Sequence, residues 1–153
     1  MLRERSFAPV IAALVLLPVG LPATTASAAA RVRPFDAQFQ DFPCGSPRAG
    51  ELRLCGTGRI GHFGPVTSKL VLRHRAGGPA PGCMTYTGTR TVTLAGDKGR
   101  LRLSVTGPAC GSRAWGTFTI VGGTGVFSHA RGEGVIWGTP LRLRYFGVLT
   151  LAR

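Results

Sequence analysis

The side chains able to do chemistry are few: four cysteines, three histidines and six carboxylates in a chain of 153 residues. His62, His74 and His129 share no metal-like spacing and have no neighbouring Cys outside an even set of four, so neither metal nor cofactor is expected. Gly56-Thr57-Gly58-Arg59-Ile60-Gly61 spells G-x-G-x-x-G. A dinucleotide site also needs a helix opening there and an acid about 20 residues on. Here the chain stays strand-like and residues 76–81 offer no acid, so the glycines read as bends in a strand. No G-x-S-x-G nucleophile motif occurs, and nothing suggests a Ser/His/Asp triad. Glu133 is the only acid after Asp97. Opposite Arg131 or Arg144 it is the one candidate general base, its plainer reading being a solvated ion pair. Tyr86, Trp115, Trp137 and Tyr145 are candidates to line an apolar cavity; at strand spacing such aromatics also serve as ordinary core.

Cys44, Cys55, Cys83 and Cys110 form an even set in a small chain with an export signal, the pattern of two disulfides with three connectivities. Strands on either side of the turn Gly96-Asp97-Lys98-Gly99 select among them. If Ala95 faces Arg100, Cys83 and Cys110 lie near each other at the open end of that hairpin, one diagonal step off register. Cys44 and Cys55 then close a local loop through Gly45-Ser46-Pro47 and Gly50. The expected pairs are Cys44–Cys55 and Cys83–Cys110.

The positioning elements begin after a leader. Arg3 and Arg5 precede an apolar run from Phe7 to Leu21 that contains Pro9, Pro18 and Gly20, and Ala26-Ser27-Ala28 follows. A basic start, a short apolar core and an A-x-A site make a secretory signal over residues 1–30, cut after Ala28 or Ala30. The apolar core is shorter than the roughly 20 residues a membrane helix needs, so the mature chain has no transmembrane segment. Localisation is therefore expected to be extracellular. The remaining residues, 31–153, are one domain by length. Loss of Arg3, Glu4 and Arg5 takes the net charge from +13 only to +12. Such a field attracts anionic cell-envelope polymers. The same excess of Arg, Ala, Gly and Pro is what GC-rich coding produces. Basic residues are scattered rather than clustered, which argues against a specific nucleic-acid arm.

Alternation of period two recurs along the mature chain. Leu101, Leu103 and Val105 alternate with Arg100, Arg102 and Ser104; Leu141, Leu143 and Tyr145 with Arg142 and Arg144; Val92 and Leu94 with Thr91 and Thr93. Eight strands follow: Asp36–Phe42, Leu52–Gly61, Thr67–Arg75, Met84–Ala95, Arg100–Thr106, Ala114–Val121, Gly132–Trp137 and Leu141–Ala152. Gly56, Gly58, Gly88, Gly116 and Gly147 within them suggest bulges or bends. The expected fold is all-β, with seven or eight antiparallel strands joined by short turns into a closed barrel or a β-sandwich.

One segment is more specific. Ile120-Val121-Gly122-Gly123-Thr124-Gly125-Val126-Phe127, followed by Ala130, Gly132 and Gly134, resembles the glycine-rich signature of allene oxide cyclase-like and dirigent-like barrels, many of them secreted bacterial proteins. The resemblance covers about 20 residues. It implies a strand ending at Ile120–Val121, a tight turn, Phe127 plugging the barrel end and a strand restarting near Gly132. It departs at His129, where the family usually has Gly, and at Glu133, where a small residue is usual. None of the plant cyclase's catalytic positions finds a match, so the resemblance implies the fold, an antiparallel eight-stranded closed barrel, and not the activity. The leading functional expectation is a non-enzymatic secreted barrel holding a small apolar ligand. The alternatives are cofactor-free isomerase or cyclase chemistry, and a basic surface protein on anionic envelope polymers.

Overall fold

The computed structural model describes residues 30–152; the expected signal segment and its cleavage sites at Ala28 and Ala30 lie almost wholly outside them. Eight strands follow one another: β1 (Arg31–Pro43), β2 (Glu51–Ile60), β3 (Gly64–Ala76), β4 (Cys83–Leu94), β5 (Gly99–Cys110), β6 (Arg113–Gly125), β7 (Arg131–Thr139) and β8 (Arg142–Leu151). Each pairs antiparallel with the next, and β1 pairs with β8 through ten residues from Arg31↔Leu151 to Gln40↔Arg142. That last pairing closes the barrel and excludes the sandwich. Closure leaves no unpaired edge, and eight strands enclose an interior just wide enough for side chains to fill.

The alternation works as the sequence suggests. Phe35, Ala37 and Phe39 point inward from β1, Leu101, Leu103 and Val105 from β5, and Leu143, Tyr145 and Leu149 from β8. Intervening positions such as Arg100, Arg102 and Arg142 face solvent. Several interior positions are glycines that admit large rings. Gly134 and Gly147 are cross-strand partners beneath Phe118, and a Cβ on Gly134 would lie 2.7 Å from its ring. The strand glycines thus serve close packing. The register shift lies elsewhere, on β5–β6 between Arg102 and Leu103, where Val121 is the extra residue between Gly122 and Ile120.

That shift corrects one expectation. The strand does not stop at Ile120–Val121 but runs on to Gly125. The turn is Val126–Ala130, held by Phe127 N–H donating to the Thr124 carbonyl (3.1 Å) and Ala130 N–H to the Phe127 carbonyl (2.9 Å). Phe127 is fully buried and meets Phe63, at 4.8 Å between ring centroids, across the end of the barrel where β2 and β3 connect. This end is closed.

The β4–β5 hairpin corrects another. Thr93 pairs with Arg100 and Cys83 directly with Cys110, so the cysteines are in register rather than one step off. The turn is Ala95–Lys98, as long as assumed but displaced by one residue toward the N-terminus. Both expected disulfides, Cys44–Cys55 and Cys83–Cys110, are present, and among the described residues no cysteine is free.

At His129 the backbone is left-handed, with φ of 58°. This is the position where the resembling signature carries Gly, and a side chain there costs on the order of 1 kcal/mol. His129→Gly is therefore expected to raise folding stability by about 1 kcal/mol in chemical denaturation; a loss of stability would show that the imidazole makes a compensating contact.

Candidate functional site

At the end opposite Phe127 the barrel is open. Both disulfides lie at this end, tying β1 to β2 and β4 to β5. Inside the rim is a cavity of about 80 Å³ walled by Leu54, Leu70, Val105, Ile136 and Leu143, with Leu52, Leu72, Ala114 and Pro140 nearer the mouth. It is roughly half the volume of an engineered apolar cavity that takes up benzene, but unlike that cavity it opens outward. Its lining carries no carboxylate, imidazole or amine.

Tyr145 forms part of the lining and is wholly buried. Its hydroxyl accepts a hydrogen bond from Arg90 Nε (3.0 Å). Arg90 is a charged side chain at zero exposure in the barrel core. Its remaining nitrogens donate to Asp41 Oδ1 (2.9 Å), Asp41 Oδ2 (2.6 Å) and Ser68 Oγ (2.8 Å). The guanidinium lies over the Phe39 ring, 4.2 Å from its centroid, and 5.2 Å from that of Tyr145. A buried charge is tolerated only when paired and hydrogen-bonded, and this one has a bidentate carboxylate, two hydroxyls and two aromatic faces. Space for the carboxylate comes from Gly56, the β2 partner of Asp41. A Cβ there would collide with Asp41 Oδ1 and come within 3.0 Å of Ser68 Oγ. The first glycine of the G-x-G-x-x-G string thus makes room for a buried ion pair.

Burial works against the Arg90 charge, but the Tyr145 oxygen and the Asp41 carboxylate hold its pKa above the ordinary value. Burial pushes the Tyr145 phenol upward, more than Arg90 pulls it down. No protein acceptor for the Tyr145 proton occurs among the hydrogen bonds of the described residues.

The other sequence candidates separate. Tyr86 stands at the mouth, its ring 6.3 Å from His74 and its hydroxyl 3.7 Å from Met84 Sδ. Trp115 borders the rim and is less than half exposed. Trp137 lies on the outer wall, stacked on Phe146 at 6.5 Å and 16°, away from the cavity. Glu133 is exposed on the outer face of β7 toward the closed end, and none of the ion pairs among the described residues includes it. Arg90, Asp41 and Ser68 were not among the sequence candidates. Their signal was parity: Asp41 follows Phe39 by two, and Arg90 precedes Val92 by two, so both occupy inward positions.

No protein-family model matches the chain, and no curated protein matches its sequence. Among the described residues no group of three or more His, Cys, Asp or Glu could hold a metal, and no helix is long and apolar enough to cross a membrane. The two disulfides indicate a compartment outside the reducing cytoplasm.

The upward shift of Tyr145 has a definite sign. A phenol whose folded pKa exceeds its unfolded value of about 10 contributes stability below that pH and loses it as pH rises through the folded value. Tyr86 and Tyr145 are the only tyrosines, so Tyr86→Phe leaves Tyr145 as the sole phenol. Its ultraviolet titration is expected to show phenolate only above pH 10, together with loss of near-ultraviolet dichroism. Ionisation at or below pH 10 with the fold intact would refute the buried assignment.

Proposed function

We propose that this chain is a secreted, non-enzymatic barrel that takes a small apolar molecule, or the apolar end of a larger one, into its open end. The observation that carries this reading is the cavity inside the rim, whose wall is built from leucine, valine and isoleucine at inward strand positions. Burying apolar surface is worth roughly 25 cal/mol per Å², and ligand sites are mostly apolar concavities with a few polar groups fixing orientation. Here the polar side chains among the lining residues are Tyr86, Thr106 and Trp115 near the mouth and Tyr145, whose hydroxyl is already held by Arg90. Binding is favoured over turnover because no carboxylate, imidazole or amine borders the space to serve as acid, base or nucleophile. Secretion is inferred from the leader composition together with the disulfides. Kinship with allene oxide cyclase-like barrels is inferred from the glycine-rich turn around Phe127, and it supports the fold without supplying an activity.

The neutral fluorophore N-phenyl-1-naphthylamine tests the proposal without the complication of charge. The oxidised protein is expected to enhance its emission saturably. Ala114→Trp, which fills the mouth from a half-buried position, is expected to weaken binding by about tenfold, or about 1.4 kcal/mol. Undiminished binding in that variant, or no binding to the parent, would overturn the reading.

A further inference from the structure

Two adjacent rows of outward side chains cross four strands of the wall. Thr57, Gln40, Arg142 and Thr139 are successive cross-strand partners on β2, β1, β8 and β7. Arg59, Gln38, Arg144 and Trp137 form the parallel row two positions along each strand. At about 4.8 Å between strands, each row runs roughly 14 Å. Together these side chains line one open groove, with three arginines and no acid among its lining residues. Asp36, which pairs with Arg144 at 3.8 Å, lies outside the lining.

The composition of the groove selects its occupant. Arg144 sits over Phe146 at 4.7 Å from the ring centroid, and Trp137 stacks on the same ring, leaving an indole more than half exposed. Arg144 Nε is buried with no protein hydrogen-bond partner. Guanidinium forks match carboxylate geometry. Glutamine amides and threonine hydroxyls both donate and accept, which is what a ring bearing hydroxyls requires. Single-stranded nucleic acid would call for successive stacking platforms, whereas this groove has one. We propose that the groove binds a carboxylate-bearing polysaccharide, its carboxylates on Arg59, Arg142 and Arg144 and one sugar ring against Trp137. This surface lies on the outer wall, shares only Leu143 with the lining of the cavity at the barrel mouth, and does not depend on that cavity being filled.

The chain has two tryptophans, so Trp115→Phe makes Trp137 the only indole reporter. In that background, oligogalacturonate is expected to change Trp137 emission saturably at low salt. Arg59→Ala with Arg142→Ala is expected to weaken binding by about tenfold. Arg100→Ala with Arg102→Ala, the same charge change on β5 across the barrel, is expected to cost less than about twofold. Equal losses from the two pairs would reduce the effect to the diffuse positive field and overturn the proposal. So would the absence of any emission change, or tighter binding of an oligothymidylate or a polyglycerol phosphate of equal charge.

Discussion

A guanidinium with no access to water is the constraint around which this barrel is arranged. Arg90 projects from β4 into the interior and reaches Asp41 on β1, Ser68 on β3 and Tyr145 on β8. Those partners come from positions 49, 22 and 55 residues away in the chain. None of these bonds can be exchanged for water, because every group lies within the closed wall. A one-residue slip of β4 would turn Arg90 outward and Thr89 or Thr91 inward, leaving the Asp41 carboxylate buried and unpaired. The ion pair need not add net stability over an apolar replacement. Its effect is selective, penalising every register but one.

Other features follow from accommodating that network. Gly56 is small because the carboxylate occupies the space beside it. Phe39 and Tyr145 lie where their faces meet the cation, and Phe118 packs on Tyr145 at 5.4 Å. Below this layer the interior is filled by aromatic and aliphatic side chains down to Phe127. Above it, Leu54, Leu70, Val105, Ile136 and Leu143 surround the space toward the rim without filling it, and the cavity remains. The disulfides fasten that less filled end.

The fold was readable because period-two alternation is a local signal, and Leu101-Arg102-Leu103 or Leu143-Arg144-Tyr145 carries it without help. Both cystine pairs followed from hairpin geometry, whereas turns alone left seven or eight strands and closure into a barrel of eight was implied by the glycine-rich turn. Strand ends were less legible: β1 begins at Arg31, five residues before the alternation becomes apparent, because Val32 and Pro34 lie on an exposed outer face. The site was mostly illegible. Apolar residues were used to mark the inward face, so a charge at inward parity did not register as core. Nothing in the neighbourhood of Arg90 announces a partner at Asp41. Trp137 and Tyr145 look alike as strand aromatics, and only their opposite parity sends one to the outer wall and the other inside.

The most direct test of this account is a thermodynamic cycle on the buried pair, using Arg90→Met, Asp41→Leu and the double variant in urea with disulfides intact. Each single change strands a buried charge and is expected to cost about 3–5 kcal/mol, while the double variant recovers most of that loss. Single costs below about 1 kcal/mol, or costs that simply add, would contradict the claim that Arg90 and Asp41 are mutually dependent inside the wall.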